Sequence, residues 1–139
     1  MRNDVTSYLD DHAEEALRLL IELARIPAPS HQEERRAEFC LNWLRSVGAD
    51  GAYIDEALNV IYPVGDTGEN DLMVFMAHSD VVFPNLEPLP LRVEDGRIYC
   101  PGVGDDTAKC GGSFDHGGVY SPGKTGAEGL RCSAGHQLR

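Results

Sequence analysis

The chain has 139 residues and a formal net charge of −11 at pH 7, with 12 Lys and Arg against 23 Asp and Glu. A chain of this length forms one domain at most. The acidic excess argues against nucleic acid and membranes as partners, because nucleic acid and anionic membranes are bound through basic patches. No apolar run is long enough to span a bilayer, and the first residues lead into an acidic helix pattern rather than a signal peptide.

The cysteine pattern contains no CxxC pair, so we interpret all four cysteines as reduced thiols and predict a cytoplasmic protein. They are Cys40, Cys100, Cys110 and Cys132. An alternative is a zinc module whose spacing only loosely resembles known ones, and no helix or strand pattern supports it. Its ligands would be Cys110, His116, Cys132 and His136.

The first third of the chain predicts two helices. Over residues 4–25, apolar side chains recur at three- and four-residue steps between acidic ones, which predicts an amphipathic helix that ends before Pro27. Ser30 predicts the start of a second helix, with Glu33 completing a capping box. Gly48 is a suitable C-terminal stop for that helix.

The strands that follow predict an α/β fold with a helix-flanked, mainly parallel sheet. Residues 52–55 and 59–64 are short strand candidates. The apolar run at 71–77 lacks polar alternation, which predicts a strand covered on both faces. Further on, Asp95-Gly96 lies between two short apolar segments and predicts the turn of a hairpin.

Polar residues that could carry chemistry follow the central strand. In parallel sheets ligands bind beyond the carboxyl ends of the strands, which is where His78 and Asp80 would lie, facing the same side. The glycine-rich segment before Asp105 and Asp106 allows a backbone path that brings two carboxylates to a site. An imidazole held by one carboxylate, beside a further carboxylate, suits zinc, with cobalt or manganese as substitutes.

Each motif also has a purely structural interpretation. A single histidine at a strand end is more often a hydrogen-bonded structural residue than a metal ligand, although histidine is the commonest metal-binding side chain. Paired aspartates are mostly surface or turn residues. The metal interpretation therefore depends on the combination of His78, Asp80 and Asp105 rather than on any one of them.

The order of these motifs resembles the M20 family of metallopeptidases, which includes di- and tripeptidases, aminoacylases and related amidohydrolases. The resemblance covers about residues 4–109 and lies in three segments separated by a proline-rich loop and a short spacer. They are residues 76–82 (MAHSDVV), 95–99 (DGRIY) and 102–106 (GVGDD). The resemblance implies that residues 1–109 are the N-terminal portion of a zinc-peptidase catalytic domain.

The resemblance also implies roles for individual residues. His78 would ligate one zinc, and the catalytic carboxylate Asp80 would hold its imidazole. Asp105 would bridge two zincs, and Asp106 would be its non-ligating neighbour. The two metals would activate a water that attacks an amide bond in a small peptide or an N-acyl amino acid. Where many members carry Lys-Gly, this chain has Thr107-Ala108.

Several groups that the family needs cannot be placed in this sequence. They are a Glu-Glu pair that supplies the general base and a ligand, another acidic ligand, a C-terminal histidine and a dimerising domain. We therefore predict weak or no zinc binding and no general base in this chain, and a homodimer only for an intact protein. The alternatives to an enzyme are an inactive truncated fragment and a small metal- or partner-binding module without turnover.

Residues 110–139 differ in character from the rest of the chain. They hold eight glycines and show no helix or strand period. Such a segment buries too little apolar surface to offset its ordering entropy, which predicts a disordered or poorly packed tail. A frame-shifted origin is a further hypothesis, since a one-base shift of the degenerate codons permits an apolar, helix-compatible run. A genuine flexible C-terminal tail is the alternative.

Overall fold

The computed structural model describes residues 2–65, 73–111 and 128–133. Two helices precede a set of short strands, with a kinked turn at Val103–Thr107 in which the backbone angles of Asp105 are not helical. The helices are α1 (Arg2–Arg25) and α2 (Glu34–Ser46), and the strands are β1 (Tyr53–Ile54), β2 (Val60–Tyr62), β3 (Met73–His78), β4 (Arg92–Glu94), β5 (Arg97–Tyr99) and β6 (Glu128–Ser133). Within the described part of the chain, neither helix combines the length and the apolar character that a membrane crossing requires.

Both predicted helices form, but the second one starts differently. α1 ends at Arg25, just before Pro27, as predicted. The capping box predicted for α2 is wrong, because the helix begins only at Glu34 and makes no side-chain cap hydrogen bond. A turn intervenes, in which Glu33 accepts a 2.6 Å hydrogen bond from the backbone N–H of His31. Ser30 therefore lies too far from the helix to cap it.

The four-stranded sheet has the order β1-β2-β6-β3. β1 and β2 form an antiparallel pair, β2 and β6 are also antiparallel, and β3 and β6 run parallel. The α/β class is confirmed, whereas the sheet of the described residues is mixed rather than mainly parallel. The reason is local, since the short link between β1 and β2 allows only an antiparallel pairing.

β3 forms where the apolar run predicted it, but it is less buried than expected. Ala77 is buried, whereas Val74, Phe75 and Met76 are exposed. Among the described residues β3 pairs along one edge only, with β6. The prediction of a strand covered on both faces is therefore wrong for this part of the chain, because its helices pack elsewhere: α2 packs against β1 and β2.

β6 is the strand that sequence reasoning did not find. Glu128–Ser133 occupies the slot between β2 and β3, with Leu130 opposite Tyr62 on one side and Phe75 on the other. Two open strand edges offer backbone partners to an extended segment whatever its side chains are. Residues 112–127 and 134–139 lie outside the described part, so the domain boundary at 109 and the frame-shifted origin stay predictions.

The core lies between the two helices and the β1–β2 side of the sheet. It is made of small and medium-sized apolar side chains: Leu19, Leu23, Ala37, Cys40, Leu44, Ala49, Ala52, Val60, Ala77 and Cys110. A separate antiparallel hairpin, β4–β5, turns at Asp95 and Gly96 with both residues at positive φ, which confirms that prediction.

Candidate metal centre

The candidate centre lies at the carboxyl end of β3. The chain leaves β3 at His78 and runs beside the loop that follows α1, where the N–H of Val81 donates to the carbonyl of Ala28 at 2.8 Å. An isolated parallel bridge between Pro29 and Val81 continues this contact. The loop that follows α1 thus forms one wall of the centre.

Asp80 contacts the imidazole of His78, in the way that the M20 resemblance implied. Nδ1 of His78 lies 3.1 Å from Oδ1 of Asp80 and 3.1 Å from the Asp80 carbonyl oxygen. Since both neighbours are oxygen acceptors, Nδ1 carries the proton and the lone pair of the neutral ring is on Nε2. The other carboxylate oxygen of Asp80 accepts a 2.6 Å hydrogen bond from Ser30.

Asp105 and Asp106 come together with His78 but make different contacts. Oδ1 of Asp105 lies 3.5 Å from Nε2 of His78, and this carboxylate is 90% exposed. Asp106 is buried, accepts a 3.3 Å hydrogen bond from the N–H of His78 and pairs with Lys109 at 2.9 Å. That ion pair raises the pKa of the Lys109 ammonium, chiefly through its hydrogen bond to Asp106. One aspartate faces solvent beside the free imidazole nitrogen, and the other fixes the backbone.

Gly102 is required for the approach of the aspartate turn to β3. Its φ is +75°, and a Cβ at this position would lie 2.5 Å from Cγ1 of Val81. A side chain would therefore be strained in its backbone and would clash with the segment that follows β3. The prediction that glycines shape the path into the aspartate pair holds at this residue.

Two residues of the centre were missed by sequence reasoning. Ser30 was assigned to a helix cap but donates to Asp80 instead. Arg36 is buried and donates to the backbone carbonyl of Ser79, between His78 and Asp80. A signal for Arg36 was present, since it lies four residues before Cys40 on the buried stripe of α2, where a charged side chain is unusual.

The donor set matches zinc in its chemistry, and the described residues supply only part of a site. The free imidazole nitrogen of His78 and the carboxylate of Asp105 are nitrogen and oxygen ligands of the kind zinc prefers. Within residues 2–65, 73–111 and 128–133, no group of three or more His, Cys, Asp or Glu side chains is placed to hold a metal ion. A catalytic zinc uses three protein ligands, so further ligands would be needed.

Three cysteines are free thiols, namely Cys40, Cys100 and Cys110. Cys40 and Cys110 are buried in the core, where their thiols make a hydrogen bond with each other. The alternative zinc module falls largely outside the described side chains, since only its Cys110 has one.

One curated relative matches the chain in sequence, and no family model does. The relative is a putative [LysW]-lysine/[LysW]-ornithine hydrolase from Pyrobaculum aerophilum, 39% identical over 88 residues. The match covers 63% of this chain and 24% of the relative. This chain therefore spans about a quarter of the length of the curated relative it matches.

Structural neighbours match most of the chain. An aminopeptidase PepT from Bacillus cereus superposes with a TM-score of 0.69 at 18% identity, over 87% of this chain and 36% of the neighbour. A tripeptidase from Staphylococcus aureus superposes with a TM-score of 0.68 at 22% identity, over 88% of this chain and 36% of the neighbour. An aminoacylhistidine dipeptidase from Vibrio alginolyticus superposes with a TM-score of 0.64 at 18% identity, over 88% of this chain and 28% of the neighbour.

The resemblance to the M20 family is confirmed. The chain has the fold of the N-terminal part of an M20 peptidase domain. It spans roughly a third of the length of its M20 structural neighbours.

Proposed function

We propose that this chain is the N-terminal portion of the catalytic domain of a zinc-dependent amide hydrolase. The observation that carries the proposal is the 3.5 Å approach of the Asp105 carboxylate to Nε2 of His78 at the end of β3. The M20 fold supports it, as do the names of the similar proteins, which are a hydrolase, an aminopeptidase, a dipeptidase and a tripeptidase.

The roles of the residues follow from their contacts. His78 would bind zinc through Nε2, and Asp105 would bind it through its exposed carboxylate. A zinc pair supplies an activated water as nucleophile. Asp80 keeps the proton on Nδ1 of His78 and leaves the lone pair of Nε2 for a metal. Asp106 accepts a hydrogen bond from the backbone N–H of His78 and thereby fixes the backbone from which the imidazole extends.

The substrate class that fits the family is a small peptide or an N-acyl amino acid. Both contain an amide bond that zinc-activated water can attack, and the peptidases among the structural neighbours are named for short peptides. Within the described residues, no group of three or more His, Cys, Asp or Glu side chains is placed to hold a metal ion. The alternatives are therefore an inactive fragment and a metal-binding module without turnover, and the two-ligand site favours them for this chain taken alone.

The proposal is tested by metal titration and hydrolysis with the full chain. Co²⁺ and Zn²⁺ binding would be measured by calorimetry at pH 7.5, and hydrolysis would be followed on dipeptides, tripeptides and N-acetyl amino acids. The variants are His78→Gln and Asp105→Asn, with His12→Gln as control, since His12 stacks on Tyr8 in α1. We expect weak Co²⁺ binding that both site variants abolish and the control retains.

The outcomes separate the three readings. Metal-dependent hydrolysis that disappears in both site variants would identify a working enzyme. Binding that depends on His78 and Asp105 without turnover would identify a partial catalytic centre, as proposed. A chain that binds no metal, or binds it equally well after His78→Gln, would contradict the proposal and leave an inactive fragment.

A further inference from the structure

Arg36 is a buried cation directly behind the candidate centre. Its side chain lies on the inner face of α2 and is 1% exposed. Arginine is almost never fully buried unless its charge is paired. Within the described residues, however, the hydrogen-bond partners of Arg36 are all neutral oxygens. Its burial therefore needs an explanation other than an ion pair.

The guanidinium joins three segments that meet at the centre. Nη1 donates to the carbonyl of Ser79 at 2.6 Å and to Oγ1 of Thr107 at 3.2 Å. Nη2 donates to the carbonyl of Ile26 at 2.7 Å, just after α1. The planar fork of an arginine suits several fixed acceptors at once. One side chain thus connects the end of α1, the segment after β3 and the aspartate turn.

These contacts fix the residues that carry the candidate chemistry. Ser79 lies between His78 and Asp80, and because peptide units are planar, holding its carbonyl constrains the adjoining backbone of both neighbours. Thr107 follows Asp106 directly and is itself buried. The same guanidinium therefore constrains the segment that bears His78 and the turn that bears Asp105.

Stability alone does not account for this side chain. Burial lowers the pKa of Arg36, and the thiols of Cys110, Cys40 and Cys100 and the carboxylate of Asp80 oppose that shift. Its Nε–H is buried without a partner among the described residues. Replacing a buried charge by a packed apolar side chain is often neutral or stabilising. A desolvated guanidinium whose Nε–H is left unpaired among the described residues points instead to a task at the position it occupies.

We propose that Arg36 is a positioning residue that holds the His78 segment and the Asp105 turn in register for metal binding. The proposal rests on the proposed zinc function for its purpose, but its geometric content is independent of it. Arg36 contacts neither the metal ligands nor a substrate directly. It acts through the Ser79 carbonyl and the Thr107 hydroxyl.

The test compares Arg36→Lys with Arg35→Lys in the full chain. Lysine keeps the charge but lacks the planar fork, so it cannot hold all three acceptors. Arg35 lies next to Arg36 on the same helix, is exposed, and donates only a 3.4 Å hydrogen bond to Leu86, which makes it a matched control. The readouts are Co²⁺ affinity by calorimetry, the ring ¹⁵N shifts of His78 in the metal-free protein, and thermal unfolding.

We expect Arg36→Lys to lower the Co²⁺ association constant about 10-fold, the scale typical of residues that orient metal ligands. The ring ¹⁵N shifts of His78 should also move in the metal-free protein, while unfolding stays cooperative. Arg35→Lys should leave the Co²⁺ association constant and the His78 ring shifts unchanged. A merely structural role would lower the unfolding temperature without moving the His78 ring.

A second variant keeps the test decisive if Arg36→Lys does not fold. Thr107→Val removes one acceptor with little change in volume and should move the His78 ring shifts in the same direction by a smaller amount. Wild-type ring shifts in every folded variant would overturn the proposal. Moved ring shifts in a protein whose wild type binds no Co²⁺ would support the positioning role and refute the zinc function.

Discussion

At the residue scale, the centre depends on hydrogen bonds that reach across the chain. Asp80 uses one oxygen for His78 and the other for Ser30, which is 50 residues away in sequence. Such a carboxylate is held in one orientation from both sides. The orientation of the His78 ring is therefore set by a residue that belongs to the loop after α1.

Replacing Ser30 by alanine should weaken metal binding more than folding. Ser30 is exposed, so water can replace its hydroxyl, and we expect a loss of about 1 kcal/mol or less in unfolding free energy. The freed Asp80 should lower Co²⁺ affinity about 10-fold. Calorimetry and urea unfolding would measure both quantities. Ser46→Ala, which removes an exposed hydroxyl bonded to the Trp43 carbonyl, is the control, and equal Co²⁺ affinity in the two variants would refute the role of Ser30.

The core thiols should be protected from alkylation. The pKa of Cys40 is raised well above its ordinary value by the hydrogen bond with Cys110 and by burial. Burial also raises the pKa of Cys100. Thiolate is the reactive form, so labelling of Cys40 should be absent at pH 8 in the folded chain and appear after unfolding in urea. Mass spectrometry after iodoacetamide treatment would measure it, and rapid native labelling of Cys40 would contradict the packing described here.

The same raised pKa makes stability depend on pH in one direction. The folded state favours the protonated Cys40 thiol, so its contribution to stability is complete below the ordinary thiol pKa. That contribution is lost as the pH rises through the raised pKa of the folded state. The urea concentration at the unfolding midpoint should therefore decrease as the pH is raised into the alkaline range.

At the element scale, local sequence patterns predicted the elements whose formation depends on neighbouring residues. Both helices, β3 and the β4–β5 hairpin follow from periodicity, from Pro27 and from the Asp95-Gly96 turn. The approach of His78, Asp80 and Asp105 followed from the ordered motifs. The contacts of Ser30 and Arg36 could not be predicted, because they join residues that are far apart in sequence. They depend on how the loop after α1 and the helix α2 meet the segment that follows β3.

β6 was beyond sequence reasoning for a different reason. Its place in the sheet depends on backbone pairing with two existing edges rather than on an apolar pattern of its own. β6 also adds to the mixed character of the sheet that the β1–β2 link begins, since it runs parallel to β3 and antiparallel to β2. A strand of this kind is recognised only once its neighbours are in place.

A proline in the middle of β6 should show whether this strand exists in solution. Leu130 lies opposite both Tyr62 and Phe75, and proline within a central strand removes a ladder hydrogen bond. Leu130→Pro should lower the unfolding temperature by roughly 5 °C or more, as expected for about 1 kcal/mol in a domain of this size. Leu138→Pro is the matched control, since it lies beyond the strand. Equal melting curves in circular dichroism would show that β6 is not part of the folded sheet.

At the scale of the whole molecule, the described surface is that of a domain with a side left open. Val82 is 85% exposed, and Phe75 and Met76 project from a strand that pairs along one edge. Exposed apolar strands of this kind mark interfaces or aggregation sites. The chain also spans only about a third of its structural neighbours. Both observations support the proposal that it is the N-terminal portion of a larger domain.

The measurement that tests this account most directly is the nucleotide sequence from the Asp105 codon through several hundred bases beyond the stop codon. We expect the one-base shifted frame to stay open and to encode an apolar helix, a strand that would take the slot between β2 and β3, and a Glu-Glu pair. Those residues would supply the missing base and a missing ligand. A shifted frame that closes within a few codons, or encodes none of these elements, would contradict the frame-shifted origin of residues 110–139.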